Sequence, residues 1–228
     1  MPPKNVAAAK AKPSPKPAAT KAKGATTTKA QTQPAGGTKG KTESGATGEK
    51  KAEPAPVMRL GTTIEFKQLA RVLFEDEGNK IKDSGRWPLL IDENGQATTF
   101  LRYRDTNILT AMTATDMIPE TMRKALLGAL RYGKPLVLDL MESDMFDTCS
   151  ERFDEIFPGL MSCIMDKSIM KEENYGKLIK DGDGDEYKLY LFNDEIMENF
   201  RFIIISSKLQ PPASLLDQTY VVRLNVPT

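Results

Sequence analysis

The chain has 228 residues and a net charge of +1, with two cysteines and no histidine. This composition does not suit a disulfide scaffold or a Cys/His zinc site, and it lacks the commonest general base. No apolar run approaches the roughly 18 residues that a membrane-spanning helix needs, and no apolar signal core follows Met1. We therefore expect a protein of the cytosol, or of a compartment reached from it, without a membrane partner.

Residues 1–57 differ sharply in composition from the rest. They are almost all Ala, Lys, Pro, Thr, Gly, Ser, Gln and Glu, and none is aromatic. Such a stretch buries too little apolar surface to fold, so we predict a disordered arm. Residues 1–53 hold eleven Lys and three Glu, a net of +8, whereas residues 54–228 have a net of −7. A basic arm on an acidic body indicates a polyanionic partner, and a soluble spacer is the simpler alternative.

Residues 58–228 suit one domain with a sizeable core. Thr62 and Glu65 form a capping box ahead of an apolar stripe, which predicts a first helix over residues 61–77. Apolar runs predict strands over 87–91, 107–112, 135–140, 187–192, 200–206 and 220–226. Amphipathic patterns predict helices over 119–132, 143–157 and 160–165, and a partly helical stretch over 167–179. This alternation indicates an α/β fold with a mainly parallel sheet that is covered on both faces.

The segment after the strand at 87–91 has the layout of a phosphate-binding loop. A strand, a turn containing Gly95 and a helix that starts near Thr98 and Thr99 would direct backbone amides at a phosphate. The consensus for such a loop is G-x-x-x-x-G-K followed by Ser or Thr. Residues 92–99 place Asp92, Ala97 and Thr98 at its two glycines and its lysine. The hydroxyl of Thr99 remains, but the acids Asp92 and Glu93 face the place of a polyphosphate.

Asp139 raises a second question about nucleotide chemistry. It follows the run Pro135–Leu138, as the magnesium-binding Asp of an ATPase follows its strand. Leu140 then stands where such an enzyme carries the Glu that polarises water. Asp139 is therefore interpreted as a strand-end polar residue or helix-cap partner, with a vestigial magnesium ligand as the alternative.

Asp181, Asp183 and Asp185 look like the start of a calcium loop. An EF-hand needs Gly at position 6 and Glu at position 12, where this chain has Glu186 and Phe192. The segment is therefore predicted to be a polar hairpin turn, and no metal site is expected.

Three segments carry a resemblance to a known family. Residues 86–96, 127–138 and 199–209 are similar, in order, to segments of the fifth AAA+ module of dynein heavy chains. They resemble still more closely the C-terminal dynein-like domain of ciliary IQ-motif and ankyrin-repeat proteins, although this chain has neither an IQ motif nor an ankyrin period. The resemblance covers roughly residues 86–228. It implies a three-layer, AAA+-like sheet of the P-loop type, without the helical lid subdomain that completes such a module.

The resemblance also implies where a nucleotide would lie. An active module presents a polar residue at the end of its sensor strand to the γ-phosphate, and Ser206 stands there, close to Lys208. The vestigial nucleotide site of this chain would comprise the residues Gly95, Thr98, Thr99, Asp139 and Ser206.

We therefore expect a non-catalytic structural or docking protein of the ciliary or flagellar axoneme, without a cofactor or a small-molecule substrate. Its arm would bind acidic partners such as microtubules or axonemal proteins. An ATP-binding switch or weak ATPase, resting on Gly95, Thr99, Asp139 and Ser206, is the first alternative. Chromatin association through the arm is the second, although the arm has no aromatic residue to stack on a nucleic-acid base.

Overall fold

The structure, a computed structural model, describes residues 61–225, so the predicted disordered arm lies outside the described residues. Its strands are β1 (Gly61–Glu65), β2 (Pro88–Ile91), β3 (Asn107–Thr110), β4 (Leu136–Asp139), β5 (Phe202–Ser206) and β6 (Tyr220–Asn225). They form one sheet in the order β1–β6–β2–β5–β4–β3. Every neighbouring pair is parallel.

Helices connect these strands. The α-helices are α1 (Lys80–Ser84), α2 (Gln96–Arg102), α3 (Pro119–Tyr132), α4 (Phe146–Asp154), α5 (Leu160–Met165), α6 (Glu172–Tyr175), α7 (Asp194–Met197) and α8 (Ala213–Gln218). Shorter 3₁₀ turns occur at Phe66–Gln68, Ser168–Met170, Gly176–Leu178, Asp185–Tyr187 and Leu189–Leu191, and a π-helical turn at Arg71–Glu75. None of the helices between residues 61 and 225 is long and apolar enough to cross a membrane.

The sheet is covered on both faces. Leu89, Leu138 and Ile204 point to one face, where they pack with α3, α4 and α5. Leu90, Val137 and Ile203 alternate to the other face, where α2 and the segment around Leu69 and Leu73 cover them. Every residue of β2, β4 and β5 is buried, as in parallel sheets between two helical layers. The predicted three-layer α/β fold is confirmed.

The central strand β2 defines a switch point in the topology. It lies between β5 and β6, and the chain leaves it through α2 towards β3 at one edge of the sheet. The chain returns strand by strand to β5 and then passes to β6 on the other side of β2. Ligands of open α/β sheets bind at the carboxyl end of such a strand. The loop after Ile91 is therefore where a ligand site is expected.

The prediction of a helix over 61–77 was wrong in its first five residues. Gly61–Glu65 is strand β1, which pairs along its whole length with β6. Gly61 allows this pairing, because a Cβ atom there would lie 2.5 Å from the carbonyl oxygen of Val221. The capping box is formed instead by Glu65 and Gln68, at the start of the first 3₁₀ turn.

The prediction of a strand over 187–192 was also wrong, because this segment forms 3₁₀ turns. Two of its aromatic residues contact helices rather than a neighbouring strand. The ring of Tyr187 packs edge-on against Tyr132 of α3, and Phe192 stacks on Tyr175 of α6 at 4.8 Å between centroids. The polar turn before it carries no calcium-loop geometry, since Asp183 bonds to a buried arginine of α3, Arg123.

Candidate nucleotide-like site

The carboxyl ends of β2, β5 and β4 bring Asp92, Ser206 and Asp139 together. The amide of Asp92 donates to the carbonyl of Ser206 at 3.0 Å, and the amide of Leu140 donates to that of Ile205 at 2.9 Å. The loop from Asp92 to Gly95 then leads into α2, whose first turn carries Thr98 and Thr99. The five predicted site residues thus lie at the carboxyl end of the parallel strands.

Asp92 has the decisive position in this loop. Its side chain is fully buried, and Oδ2 accepts a hydrogen bond of 2.6 Å from the amide of Ala97 in the first turn of α2. Oδ1 has no hydrogen-bond partner among residues 61–225. A helix N-terminus attracts an anion, and here the chain's own carboxylate provides it.

The rest of the loop is bonded to itself. Gly95 adopts a left-handed conformation with φ of 66°, and its carbonyl oxygen accepts from both the amide and the hydroxyl of Thr99, at 3.1 and 2.9 Å. The hydroxyl of Thr98 interacts with the carboxylate of Asp139 and lowers its pKa. The hydroxyl of Thr99 therefore already has an acceptor in the loop, and that of Thr98 acts on Asp139.

Asp139 is a buried carboxylate at the end of β4. Its Oδ1 accepts from the amide of Met141 at 2.9 Å, and the backbone of Met141 is left-handed with φ of 54°. Burial raises the pKa of Asp139. The negative charge of Asp92 also raises it, whereas the Met141 amide, the charge of Arg102 and the hydroxyl of Thr98 act in the opposite direction. Asp139 thus holds the turn after β4.

Ser206 and Lys208 are engaged within the chain as well. Ser206 is buried, and its Oγ accepts from the amide of Lys208 at 3.2 Å. The ammonium group of Lys208 forms an ion pair with Asp144, in the turn that precedes α4. The sensor-like end of β5 is therefore bonded to its own turn.

This arrangement does not fit a nucleoside triphosphate with its magnesium ion. Two buried carboxylates, Asp92 and Asp139, lie where phosphates and metal would lie, and the loop supplies no lysine to offset the charge of a triphosphate. Within residues 61–225, no group of three or more His, Cys, Asp or Glu side chains is placed to hold a metal ion. The hydrogen-bond donors and acceptors of the loop after β2 instead stabilise the loop itself.

Sequence reasoning identified Asp92 as a departure from the consensus but missed its role as the anion at the start of α2. A signal for that role was present, because an acid between a buried strand and a helix start is typical of capping. The contribution of Arg102 had no such signal, since its proximity to Asp139 depends on the packing of α2 against the sheet.

The sequence model of one protein family, the ATP-binding dynein motor region, matches residues 72–226, about two thirds of the chain. The chain belongs to this family. A cytoplasmic dynein heavy chain of Drosophila melanogaster is 42% identical to it over 65 residues, which are 28% of this chain and 1% of that relative. The chain thus corresponds to a very small part of the dynein heavy chain it matches. Membership of the dynein motor-region family confirms the predicted dynein-type AAA+ module.

Proposed function

We propose that this chain is a non-catalytic docking protein of the cytoskeleton, in which a dynein-type domain serves as a structural piece. The observation that carries this proposal is the buried carboxylate of Asp92, bonded to the Ala97 amide at 2.6 Å. In a nucleotide loop, that helix start faces a phosphate. A carboxylate in that place opposes phosphate binding through its charge as well as through its volume.

Binding of a triphosphate would carry a large energetic cost here. The Asp92 carboxylate would have to leave its buried place and give up a hydrogen bond to a charged group, which contributes about 1.5–3 kcal/mol. The phosphates would then approach Asp139, a second buried carboxylate. Hydrolysis would further need a group that polarises water, and Leu140 occupies that position of the strand end.

The family and the charge of the arm support a proposal for the cellular setting. We propose that the domain is a relative of the fifth dynein module, related to ciliary IQ-motif and ankyrin-repeat proteins, and that it acts in the axoneme of cilia or flagella. The net charge of +8 over residues 1–53 supports an acidic partner. Microtubules and axonemal proteins are the partners that this setting offers.

Residual ATP binding without hydrolysis is the second candidate. The position of the loop at the switch point of the sheet favours it, as does the family, which is described as an ATP-binding region. In this alternative, Thr98 and Asp139 would turn from each other towards the nucleotide and its metal ion.

Titration of the full chain with ATP and Mg²⁺, by calorimetry and by thermal melting, separates the two candidates. We expect no heat of binding and no change in Tm at millimolar ATP. The double variant Asp92→Gly/Thr98→Lys restores a glycine and the lysine of the consensus, so it should gain binding relative to Glu151→Gln, a control at an exposed position of α4. Binding by the unmodified chain that Asp139→Ala abolishes would overturn the proposal.

A further inference from the structure

A cavity of about 370 Å³ lies near the amino ends of strands β2 and β5, at the opposite end of the sheet from the loop after β2. Trp87, directly before β2, and Phe200, before β5, form its floor and pack edge-on with 5.7 Å between ring centroids. The indole Nε1 of Trp87 donates to the carbonyl of Ile164 at 2.6 Å, which fixes the ring. The cavity therefore has a rigid aromatic floor.

Two half-buried cations line this cavity. The Lys167 ammonium lies 4.6 Å from the centroid of the Trp87 ring, and Arg201 directly precedes β5. Neither has a carboxylate oxygen within 4 Å in the part of the chain that the structure describes. Burial lowers the pKa of Lys167, and the charge of Arg201 lowers it further. Two like charges thus share a partly desolvated place without a bonded counter-ion.

The guanidinium of Arg201 is held in one orientation with one edge open. Its Nη1 donates to the carbonyl oxygens of Glu198 and Phe200, at 2.5 and 2.9 Å. Its Nε and Nη2 have no hydrogen-bond partner within residues 61–225. The Nε–Nη2 edge of arginine matches the two oxygens of a carboxylate or phosphate, so its most selective recognition surface is unused.

The acidic groups of the lining offset the charge of this pair only in part. Asp76 lies near both cations, but its two oxygens accept from the amides of Ile81 and Lys82 at 2.9 and 2.8 Å. Glu198 is exposed, and its carboxylate bonds to no described residue. Lys82 adds a third positive charge at the exposed rim. The lining therefore has three cations against two acids, of which one is already bonded to backbone amides.

We propose that this cavity binds a small-molecule oxyanion, a carboxylate or a phosphate group, on the Nε–Nη2 edge of Arg201 with Lys167 as the second cation. Bidentate pairing would satisfy both open donors of the guanidinium. The anion would also relieve the repulsion between the two half-buried positive charges. The size of the cavity suits a small molecule. The site does not involve the nucleotide-like loop at the carboxyl end of the strands, and it does not depend on the proposed docking function.

The fluorescence of Trp87 tests this proposal, because Trp87 is the only tryptophan of the chain and forms the cavity floor. The full chain is titrated with inorganic phosphate and, separately, with acetate, at an ionic strength kept constant with chloride. We expect a saturable change in emission with at least one of the two anions. A response to phosphate alone or to acetate alone would identify the preferred oxyanion.

Variants assign the signal to the cavity through the midpoint of the titration. Arg201→Lys keeps the charge but loses the bidentate edge, so the midpoint should rise about tenfold, and Lys167→Gln should raise it similarly. Glu198→Gln removes a competing carboxylate from the rim and should lower the midpoint. Lys124→Gln is the matched control on α3, where Lys124 pairs with Glu120 at 3.9 Å, and should leave the midpoint unchanged.

Two results would overturn the proposal. One is the absence of a saturable change with either anion in the unmodified chain. The other is an equal midpoint in the unmodified chain and in Lys167→Gln, which would mark a non-specific effect of salt. Thermal melting checks that each variant is folded. If Arg201→Lys does not fold, then Lys167→Gln and Glu198→Gln, which change midpoints in opposite directions, still decide the outcome.

Discussion

Asp92 and Asp139 are buried carboxylates at the carboxyl ends of β2 and β4, which flank β5, and each accepts a backbone amide of its own loop. The two carboxylates differ in the groups that surround them. Asp92 leaves one oxygen without a partner in the described chain, whereas the hydroxyl of Thr98 lowers the pKa of Asp139 in addition to the Met141 amide. Because burial raises the pKa of Asp139, the ionised form of this residue is disfavoured in the folded protein.

The raised pKa of Asp139 predicts the effect of Asp139→Asn on stability. Protonation of Asp139 stabilises the folded state below the unfolded pKa of 3.8, and this contribution is lost as pH rises through the folded value. The asparagine is neutral at every pH and still accepts the Met141 amide. We therefore expect a higher free energy of unfolding for Asp139→Asn at pH 7, and no difference below pH 3.8.

Urea unfolding at both pH values measures this difference. Asp144→Asn is the control, since Asp144 is exposed and its charge is paired with Lys208. That variant should not gain stability at pH 7. A loss of stability in Asp139→Asn at pH 7 would show that the charge of Asp139 contributes more than its burial costs.

Helix α3 holds two neighbouring segments in place at the scale of elements. Arg123 is almost fully buried and bonds to both oxygens of Asp183, both oxygens of Glu120 and the carbonyl of Leu178. This cluster fastens the loop of residues 178–183 to α3. Directly after the same helix, Gly133 packs against the backbone of α7.

Replacement of Arg123 by Met should cost about 3–5 kcal/mol, because Asp183, whose side chain is 5% exposed, would remain as an uncompensated buried charge. Arg131→Met is the matched control on α3. Arg131 donates to the carbonyl of Glu186 at 3.0 Å from an exposed position, and its loss should cost under about 1 kcal/mol. Denaturant unfolding at pH 7 measures both.

The same cluster makes the free energy of unfolding depend on pH in the acidic range. Hydrogen bonds from Arg123 and then Lys180 lower the pKa of Glu120 from 4.5 to about 2, and the Arg123 bond also lowers the pKa of Asp183. A depressed carboxyl pKa stabilises the fold above the unfolded value. That contribution is lost as pH falls from 4.5 towards 2, and circular dichroism should show a weaker loss in Arg123→Met. An unchanged acid profile in the variant would contradict this.

The junction of α3 and α7 predicts an effect of Gly133→Ala. Gly133 has φ of 61°, and a Cβ atom there would lie 2.2 Å from the carbonyl oxygen of Ile196. Left-handed strain and displacement of α7 together should cost about 2–4 kcal/mol. Gly95→Ala is the control, because Gly95 is also left-handed but has no atom within 4 Å of an added Cβ.

Thermal or urea unfolding of both glycine variants separates the two contributions. Gly95→Ala should lose only the conformational part, about 1–2 kcal/mol. Equal losses in the two variants would mean that α7 moves away from Gly133 without a cost.

The distribution of charge is the feature that matters at the scale of the whole molecule. Residues 1–53 have a net of +8 and residues 54–228 a net of −7. The match to the dynein motor-region family, over residues 72–226, lies within the acidic part. We propose that the basic arm holds the domain near an acidic polymer.

Deletion of residues 1–57 should abolish co-sedimentation with microtubules, and binding of the full chain should fall as salt rises because salt screens the attraction between the basic residues and the acidic partner. A full-length variant with the eleven Lys of residues 1–53 replaced by Gln is the control for arm length, and it should behave like the deletion. Binding that is insensitive to salt, or unchanged by the deletion, would contradict a role for the arm. Equal binding to duplex DNA would favour the chromatin alternative.

The sequence by itself determined the α/β class, the order of most elements and the absence of a lysine from the loop. Helices α3 and α5 have the predicted bounds, because their apolar spacing, the Pro119 start and the Gly133 and Gly159 flanks act within a few residues. Patterns of this range are readable without knowledge of the fold. The fifth-module relation rests on resemblance, and the site residues rest on the loop and strand-end patterns together with that resemblance; both stay predictions.

Only the tertiary structure decided the features that depend on distant parts of the chain. Gly61–Glu65 becomes a strand because β6 offers it an edge, which local propensity does not reveal. The cations Lys167 and Arg201 line the same cavity because the turn after α5 and the start of β5 lie at the same end of the sheet, and Lys167 lies over the ring of Trp87. Local spacing governs helices and turns, whereas strand pairing and charge clusters arise from contacts between residues far apart in sequence.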